Sequence, residues 1–271
     1  MKADLHVHSH YSDGADSIQE ILRKAKVNGL THLSIVDHDT VDGLEAAVNL
    51  GKKYGISIIP GIEISAYDFK RKRKVHVLGY SYRPEAVHIK AVCQPILEKR
   101  QKHSLWQIKQ INNLGYRLDE QAIMEAARPG RTIYKQHIMH HLTNAGHDSV
   151  EYRELYRKLF KNNGVASGDI EYADVFEVVE AIVTDGGLAV VAHPGQLDSY
   201  DLIPELVEKG LGGIEKYHSD HTDLDHQRVD TLAKRYNLVM TGGTDYHGIF
   251  GASIKIGKIC SPINFLLKKC K

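Results

Sequence analysis

The sequence predicts an α/β protein in which seven strands alternate with helices. This is the pattern of a parallel TIM-like barrel, closed or slightly short, here interrupted by a helical insertion. Short aliphatic runs alternate with segments whose apolar residues recur at helical spacing, both before residue 89 and after residue 169. Between these residues only helical patterns occur. We therefore expect a barrel formed by residues 1–88 and 170–271 and a helical cap subdomain formed by residues 89–169.

The composition is that of a soluble globular protein. The chain has 271 residues, 42% hydrophobic and 25% charged, and no apolar run approaches the roughly 20 residues that a membrane span needs. No signal peptide is recognisable, so we expect a cytoplasmic protein that does not bind a membrane. Cys93, Cys260 and Cys270 form no Cys-x-x-Cys pair. This argues against a disulfide framework or a thiolate zinc site.

The first strand carries the first candidate metal ligands. Apolar and polar residues alternate over residues 4–8, so His6 and His8 lie on one face of a strand, about 6.6 Å apart along the chain. A polar loop follows and can bring Asp13 back toward them. Two imidazoles so placed could bind one metal ion, although a lone His-x-His also occurs by chance on half-exposed strands.

The next elements repeat the strand–helix order. Ser17 is the expected N-cap of a helix over residues 18–28. A strand over 32–36 then leads to His38, which occupies the same position after its strand as His8 does. A helix over 43–54 follows.

A third strand over 56–59 precedes Glu63, an acid among isoleucines. Such an acid is either a paired core charge or a metal ligand. Five consecutive basic residues, 70–74, are expected to form a solvated turn. A fourth strand over 75–80 contains His76 between two valines.

The insertion is predicted to be helical and basic. Helical patterns cover residues 91–114, 119–127, 134–145 and 151–161. Residues 89–169 contain 13 Lys and Arg against eight Asp and Glu, a net charge of +5, whereas the rest of the chain has a net charge of −4. A basic cap beside an acidic body favours an anionic substrate.

Strand and helix alternate again in the last third of the chain. Candidate ligands follow the strands there too: His193 ends the fifth strand, and Asp245 and His247 follow the seventh. His218 ends the sixth strand and is either a general acid or a surface histidine. The predicted elements are a helix over 175–184, a strand over 187–194, a helix over 202–209, a strand over 213–218, a helix over 224–236 and a strand from residue 238.

The candidate ligands together predict a metal centre at the carboxyl ends of the strands, where barrel folds place their chemistry. Four ligands complete one structural zinc site, so a larger set predicts two or three divalent ions that share a bridging carboxylate, for which Glu63 is the natural choice. Imidazole and carboxylate ligands suit manganese, iron and zinc alike. The nine candidates are His6, His8, Asp13, His38, Glu63, His76, His193, Asp245 and His247.

These motifs, in this order, resemble the PHP-domain (polymerase and histidinol phosphatase) metal-dependent phosphoesterases. The similarity is to the stand-alone kind that hydrolyses nucleotide phosphates, including nucleoside 3′,5′-bisphosphates. It covers nearly the whole chain. The matching motifs are Asp-Leu-His-Val-His-Ser at 4–9, Ser-Asp-Gly at 12–14, Asp-His-Asp at 37–39, Gly-Ile-Glu at 61–63, His-Val-Leu-Gly-Tyr at 76–80, Ala-His-Pro at 192–194 and Asp-Tyr-His at 245–247.

The resemblance implies a distorted seven-stranded barrel with a trinuclear centre. It also implies a metal-bound hydroxide that releases phosphate from a phosphomonoester, with Asp13, His38, Glu63, Asp245 and His247 as the catalytic ligands. The implied ligand sets are His6, His8, Glu63 and Asp245 for the first ion, Asp13, His38 and His247 for the second, and Glu63, His76 and His193 for the third.

The resemblance also implies a phosphate contact from the insertion. Related sequences carry Arg-Thr-His or Arg-Pro-His there, whereas this chain has Lys-Gln-His at 135–137. With Thr132 as N-cap, Lys135 and His137 would lie in the first helical turn and face the ions, with Arg131 just before them. Spacing alone fits ordinary exposed helix residues equally well.

The predicted substrate is a small nucleotide-like phosphate ester. A 5′–3′ exonuclease acting on short RNA is an alternative, because the same ions could trim an oligonucleotide. An amidohydrolase-type enzyme also begins with His-x-His on its first strand. A metal- or nucleic-acid-binding module without catalysis would be expected to have lost ligands, and here every ligand position is filled.

Overall fold

The computed structural model describes residues 1–263, and Cys270 lies outside them. The described part has α/β architecture and contains no helix long and apolar enough to cross a membrane. The strands are β1 Ala3–Val7, β2 His32–Ile35, β3 Ser57–Ile58, β4 Gly61–Asp68, β5 Arg73–Tyr80, β6 Ala173–Asp174, β7 Leu188–Val191, β8 Gly213–Tyr217 and β9 Val239–Gly242. The helices are α1 Ile18–Val27, α2 Leu44–Tyr54, α3 Val87–Asn113, α4 Glu120–Ala126, α5 Lys135–Leu142, α6 Val150–Phe160, α7 Val175–Thr184, α8 Pro194–Leu197, α9 Ile203–Glu208 and α10 Asp223–Tyr236.

Two sheets form the β-structure. One is parallel, in the order β1-β2-β3, and the other has the order β6-β4-β5-β7-β8-β9. The sheets approach each other at two single bridges, Val7 with Tyr246 and His38 with Glu63. Both bridges lie at or beside candidate ligands.

The prediction of an all-parallel arrangement was wrong at one place. β5 is antiparallel to both β4 and β7. The reason is the short connection over residues 69–72, which forms a hairpin and leaves no room for a crossover helix. Glu63 consequently lies within β4, and not in a loop after the short strand β3.

The predicted start of α1 is confirmed in detail. The Ser17 hydroxyl accepts a hydrogen bond from the Glu20 backbone N–H, and the Glu20 carboxylate accepts one from the Ser17 backbone N–H. This capping box satisfies two backbone donors that have no partner within the helix. It fixes the position of the helix directly after the loop that carries Asp13.

Helices α3 to α6 follow one another, and the described chain has no strand between β5 and β6. These helices bury a hydrophobic cluster of their own that includes Ile108, Ile111, Ile138 and Phe160. A second cluster lies between strands of both sheets and includes Leu5, Leu78 and Tyr80. The second half of α3 and helices α4 to α6 therefore have a core of their own, whereas Ile89, Cys93 and Ile96 of α3 pack with residues of β4 and β5.

Candidate metal centre

Glu63 lies at the middle of the candidate site, and its side chain is 1% exposed. Its Oε2 atom is 3.1 Å from Nε2 of His6, 3.1 Å from Nε2 of His8 and 3.5 Å from Nε2 of His38. The predicted strand geometry of the first motif is therefore found, since His6 and His8 both reach one carboxylate oxygen.

The second oxygen of Glu63 faces two other histidines. Its Oε1 atom is 2.9 Å from Nδ1 of His76 and 3.0 Å from Nε2 of His193. His76 lies in the middle of β5, and the antiparallel register places it opposite Ser65, two residues along β4 from Glu63. Glu63 thus offers one oxygen to each of two groups of imidazoles, as a bridging ligand must.

Asp245 completes the group around the first two histidines. Its Oδ1 atom is 3.3 Å from Nε2 of His6 and 3.2 Å from Nε2 of His8. One ligand atom from each of His6, His8, Glu63 and Asp245 lies within 4.8 Å of the others. These are the four residues that the resemblance assigned to the first ion.

A second group forms around Asp13. Its Oδ1 atom is 3.4 Å from Nε2 of His247 and 3.6 Å from Nδ1 of His8. Asp13, His38, His247 and His8 each place a ligand atom within the same 4.8 Å limit. His8 lies between the two groups and could serve either.

Three residues at or next to the site have unusual backbone conformations. Asp39, His193 and Asp245 have φ angles of 60°, 22° and 51°, where non-glycine residues are uncommon. Such strain persists only where the surrounding structure enforces it, and it concentrates at functional sites.

Burial and close charges shift the pKa values of the candidate ligands. Burial lowers the pKa of His38 to about 4, although Glu63 and Asp13 oppose this. For His8, burial also favours the neutral ring, but Asp245 and Glu63 outweigh it and raise the pKa to about 10. The neighbouring histidines, against the effect of burial, hold the pKa of Glu63 well below its usual range. The raised pKa of His8 therefore favours a proton on its ring beside the carboxylates, whereas the lowered pKa of His38 favours a neutral ring.

The donor atoms of the site fit divalent cations. Both ring nitrogens of His8, Nδ1 of His38 and Nδ1 of His193 are buried and have no hydrogen-bond partner within residues 1–263. Buried polar atoms normally have partners, because leaving one unpaired costs about 1–3 kcal/mol. Clustered imidazole and carboxylate donors without thiolates suit manganese, iron or zinc.

Glu215, a buried acid on β8, was missed as a functional residue in the sequence. Its side chain is fully buried. Oε1 lies 3.0 Å from Nδ1 of His6, and Oε2 accepts a hydrogen bond of 2.8 Å from the His193 backbone N–H. Glu215 therefore orients His6 from behind and holds the strained turn at His193. The signal available in the sequence was an acid inside an apolar strand.

Three residues of the insertion contact the metal-binding rim and were also missed. Gln136 donates a hydrogen bond of 2.8 Å to Oδ2 of Asp13. The Tyr134 hydroxyl donates to the His38 carbonyl at 2.8 Å. Arg100 donates to Oδ2 of Asp39 at 2.7 Å. We call these three contacts the cap tethers.

The structure corrects part of the predicted phosphate contact. α5 begins at Lys135, but its N-cap is Tyr134 and not Thr132. Lys135 and Gln136 line the cavity above the site, whereas His137 is buried and its Nδ1 accepts from the Tyr134 backbone N–H at 3.0 Å. Residues two apart diverge by about 200° around a helix, so Lys135 and His137 cannot face the same way.

Arg131 is likewise not brought to the site. It has a φ of 65° and is exposed, and it lines a separate depression with Arg128 and Pro129. The positive φ turns the chain between α4 and α5, which directs Arg131 away from the cavity that Lys135 lines.

His218 lies inside the site and not on the surface. It is 5% exposed, and its Nε2 is 3.4 Å from Oδ2 of Asp245. Burial lowers the pKa of His218, but Asp245 and Glu215 outweigh it, so the net shift is upward. Its position is compatible with proton donation to a leaving group.

The basic run at 70–74 is mostly neutralised. Lys70, Arg71 and Arg73 form ion pairs with acids that include Asp201 and Glu205. Only the last member of the run, Lys74, lines the cavity above the site, where it pairs with Asp169.

A comparison with family models identifies the family of this chain. The PHP-domain model matches residues 4–173. The chain belongs to the PHP-domain family. The resemblance implied by the motifs is thereby confirmed, and the protein is a metal-dependent phosphoesterase, a hydrolase of phosphate esters.

Relatives with assigned activities cover almost the whole chain. A phosphoribosyl 1,2-cyclic phosphate 1,2-diphosphodiesterase of Eggerthella lenta is 50% identical over 95% of this chain and 98% of its own. A 5′-3′ exoribonuclease of Haemophilus influenzae is 28% identical over 95% of this chain and 93% of its own. A 3′,5′-nucleoside bisphosphate phosphatase of Chromobacterium violaceum is 27% identical over 96% of this chain and 94% of its own.

Solved structures share the fold, insertion included. A protein of Bifidobacterium adolescentis, described as a candidate metal-dependent phosphoesterase, superposes with a TM-score of 0.88 at 24% identity, over 98% of this PHP-domain chain and 94% of its own. A Chromobacterium violaceum protein described as an amidohydrolase, with bound sulfate, gives a TM-score of 0.86 at 26% identity, over 99% and 96%.

Proposed function

We propose that this PHP-domain protein hydrolyses a phosphate ester of a small ribose-containing substrate that carries two phosphate groups. The first candidate is phosphoribosyl 1,2-cyclic phosphate, on which the 50% identical relative acts. The second candidate is a nucleoside 3′,5′-bisphosphate, on which a 27% identical relative acts. In both molecules a ribose separates the reacting phosphate from a second negative charge.

The cavity above the metal-binding rim carries this proposal. Its volume is about 440 Å³, and Asp13, His38 and His76 form one part of its wall. Lys135 on α5 and Arg157 on α6 line it from the insertion. One continuous space therefore joins the candidate ligands to cationic side chains, as a substrate with two phosphates requires.

We propose that the nine candidate ligands hold two or three divalent ions in the sets given above, with Glu63 as the bridge. Such ions supply a nucleophile from water near neutral pH and stabilise charge on the phosphoryl oxygens. Glu215 keeps His6 oriented, and Gln136 keeps Asp13 oriented. His218 is placed to give a proton to the departing oxygen.

The insertion is proposed to bind the second phosphate. Two of the cations that line the cavity are already paired: Arg100 with Asp39 and Lys74 with Asp169. Lys135 forms no ion pair within the described residues. Burial lowers the pKa of Lys135 to about 8, and Lys74 adds to this effect while Asp169 opposes it. A bound phosphate would balance this partly buried charge.

We further propose that the two sheets enclose the site as the distorted barrel that the family resemblance implies. Seven strands would take part: β1, β2, β4, β5, β7, β8 and β9. The two bridges described above support closure, and so does the Tyr80 hydroxyl, which donates to the Leu5 carbonyl across the sheets at 2.9 Å.

The test is hydrolysis of a substrate panel, followed both by chromatography of the products and by release of inorganic phosphate, with protein whose metal content has been quantified. The panel contains phosphoribosyl 1,2-cyclic phosphate, a nucleoside 3′,5′-bisphosphate, 5′-phosphorylated short RNA, p-nitrophenyl phosphate and an amide substrate. We expect kcat/KM to be highest for one of the two ribose substrates with two phosphates. Preference for RNA would favour the exonuclease alternative, and cleavage of the amide alone would contradict the proposal.

A further inference from the structure

One face of α3 carries buried polar atoms that the catalytic roles above leave unexplained. Arg100, His103, Ser104 and Gln107 recur at intervals of three and four residues and all line the cavity. Nε of Arg100, Nε2 of His103 and Oε1 of Gln107 are buried without a hydrogen-bond partner within residues 1–263. Unpartnered buried atoms on one wall of a substrate cavity indicate a recognition surface.

Gln107 is the most informative of the three because its amide has one permitted orientation. The side chain is fully buried. Its Nε2 donates a hydrogen bond of 2.7 Å to the Ala166 carbonyl, which can only accept. The amide nitrogen must therefore face Ala166 and the amide oxygen, Oε1, must face the other way. Oε1 is an acceptor to which no group donates within residues 1–263.

An unpaired acceptor selects the chemistry of its ligand. A phosphate dianion offers only acceptors, so its oxygens would be repelled by Oε1 of Gln107. An O–H or N–H group would be bound, because it supplies the missing donor. Gln107 also lies seven residues beyond the tether residue Arg100, roughly 10 Å along the helix axis. The end of this wall near Gln107 therefore suits a neutral part of the substrate, away from the ions.

Two aromatic side chains that line the cavity also suit a neutral, polar ligand. Tyr152 and Tyr156 of α6 line the same cavity, with ring centroids 6.4 Å apart and an interplanar angle of 9°. Aromatic faces pack against sugar rings and bases without requiring charge. Ser104, between His103 and Gln107, is already satisfied, since its hydroxyl donates to the Ile133 carbonyl at 2.6 Å.

We propose that this α3 wall recognises the uncharged part of the substrate and that Gln107 accepts a hydrogen bond from its O–H or N–H group. The inference rests on the proposed function, because it assigns a binding site on α3 to the organic portion of that same substrate. The donor has two possible sources, a ribose hydroxyl and a nucleobase N–H. Gln107 would act as a specificity residue for ribosyl substrates.

The experiment compares the Gln107→Leu enzyme with wild type on three substrates: a nucleoside 3′,5′-bisphosphate, a ribose bisphosphate without a base, and p-nitrophenyl phosphate. We expect kcat/KM to fall roughly three- to tenfold for a ribosyl substrate, the usual worth of one neutral hydrogen bond, and to stay unchanged for p-nitrophenyl phosphate. A loss on both ribosyl substrates would identify a ribose hydroxyl, and a loss on the nucleotide alone would identify a base.

Ser104→Ala is the matched control. It removes a side-chain hydrogen bond to the Ile133 carbonyl, just as Gln107→Leu removes one to the Ala166 carbonyl. The inference is overturned if Ser104→Ala reproduces the selective loss, if Gln107→Leu affects p-nitrophenyl phosphate equally, or if it affects no substrate. Should Gln107→Leu not fold, substrates methylated at the ribose oxygens or at the base nitrogens test the same donor on the wild-type enzyme. Failure of the proposed function would look different, since metal-loaded wild type would then hydrolyse no ribosyl substrate with two phosphates in preference to p-nitrophenyl phosphate, RNA or the amide.

Discussion

At the scale of single residues, Glu63 is the side chain on which the candidate ion sites depend. Its two oxygens face different imidazoles: Oε2 contacts the first-strand histidines, whereas Oε1 contacts His76 and His193. A histidine ligand, by contrast, has two nitrogens on opposite sides of one ring. Removing the Glu63 charge should therefore disturb more than one ion.

Glu63→Gln is expected to lower the bound metal per chain more than His76→Ala or His193→Ala does. The amide keeps the shape of the side chain but loses the charge that two cations would share. Elemental analysis of the purified variants after reconstitution measures this. If either histidine variant loses more metal than Glu63→Gln, the assignment of Glu63 as the bridge is wrong.

Glu215→Gln tests the orientation of His6 from behind. We expect metal affinity to fall about 10–100-fold, because a neutral partner of Nδ1 makes the imidazole a weaker ligand. Titration of the metal-free protein with zinc measures the affinity, and Glu215→Asp should restore part of it. Glu205→Gln is a surface control, because the Glu205 side chain is 35% exposed and pairs with Lys70 and Arg71. Equal zinc affinities of Glu215→Gln and this control would show that Glu215 does not orient His6 for metal binding.

At the scale of elements, the first turn of α5 is proposed to bind the second phosphate through Lys135. Lys135→Ala should reduce kcat/KM for a substrate with two phosphates about 10-fold or more and leave p-nitrophenyl phosphate nearly unchanged. A charge-assisted contact in a partly desolvated site is worth about 1.5–3 kcal/mol. An equal loss on both substrates would mean that Lys135 serves the reacting phosphate.

The same residue gives a dependence on pH. Because burial lowers the pKa of Lys135 to about 8, the side chain is cationic below that pH and loses its charge above it. KM for the substrate with two phosphates should rise above about pH 8 relative to KM for p-nitrophenyl phosphate. Lys135→Arg should abolish this relative rise, because arginine stays protonated. An unchanged ratio in wild type would show that Lys135 does not titrate in this range.

Some of the helices, strands and contacts could be predicted from the sequence and others could not. Alternating strands and helices, the cap of α1 and the ligand motifs after strands could be read from local pattern, because these features depend on residues close in sequence. The antiparallel β4–β5 pair was not predicted, since a short run of basic residues was taken as a turn before another parallel strand. The residues that form the cap tethers could not be predicted from local pattern either. Gln136 meets Asp13 across 123 positions of the chain, and no periodicity encodes that contact.

At the scale of the whole molecule, ions and fold should stabilise each other. Chelation is expected to lower Tm by about 5–10 °C if the free ion stands at about 100 times its Kd, which corresponds to about 2.7 kcal/mol. The physical reason is that buried carboxylates and imidazoles lose their counter-charges. Differential scanning calorimetry with and without chelator, followed by metal addition, measures it. A Tm that chelation does not change would argue that the cluster binds no ion tightly.

Acid should act in the same direction as chelation. Protons compete with cations for imidazole nitrogens, whose ordinary pKa is about 6.5. We therefore expect activity and bound metal to decline together below about pH 6. Metal retained at pH 5 alongside lost activity would instead point to titration of a catalytic group such as His218.

The cap tethers limit how this protein could be re-engineered. One way to change the substrate range of such an enzyme is to exchange its insertion for that of a relative, treating the insertion as an independent module. Yet Gln136 and Tyr134 bond directly to candidate ligand residues, and Arg100 bonds to the residue beside one of them. A chimera that imports a foreign insertion would leave Asp13 and Asp39 without their partners. Successful grafting would therefore require the donor's loops after β1 and β2 to be transplanted together with the donor's helices.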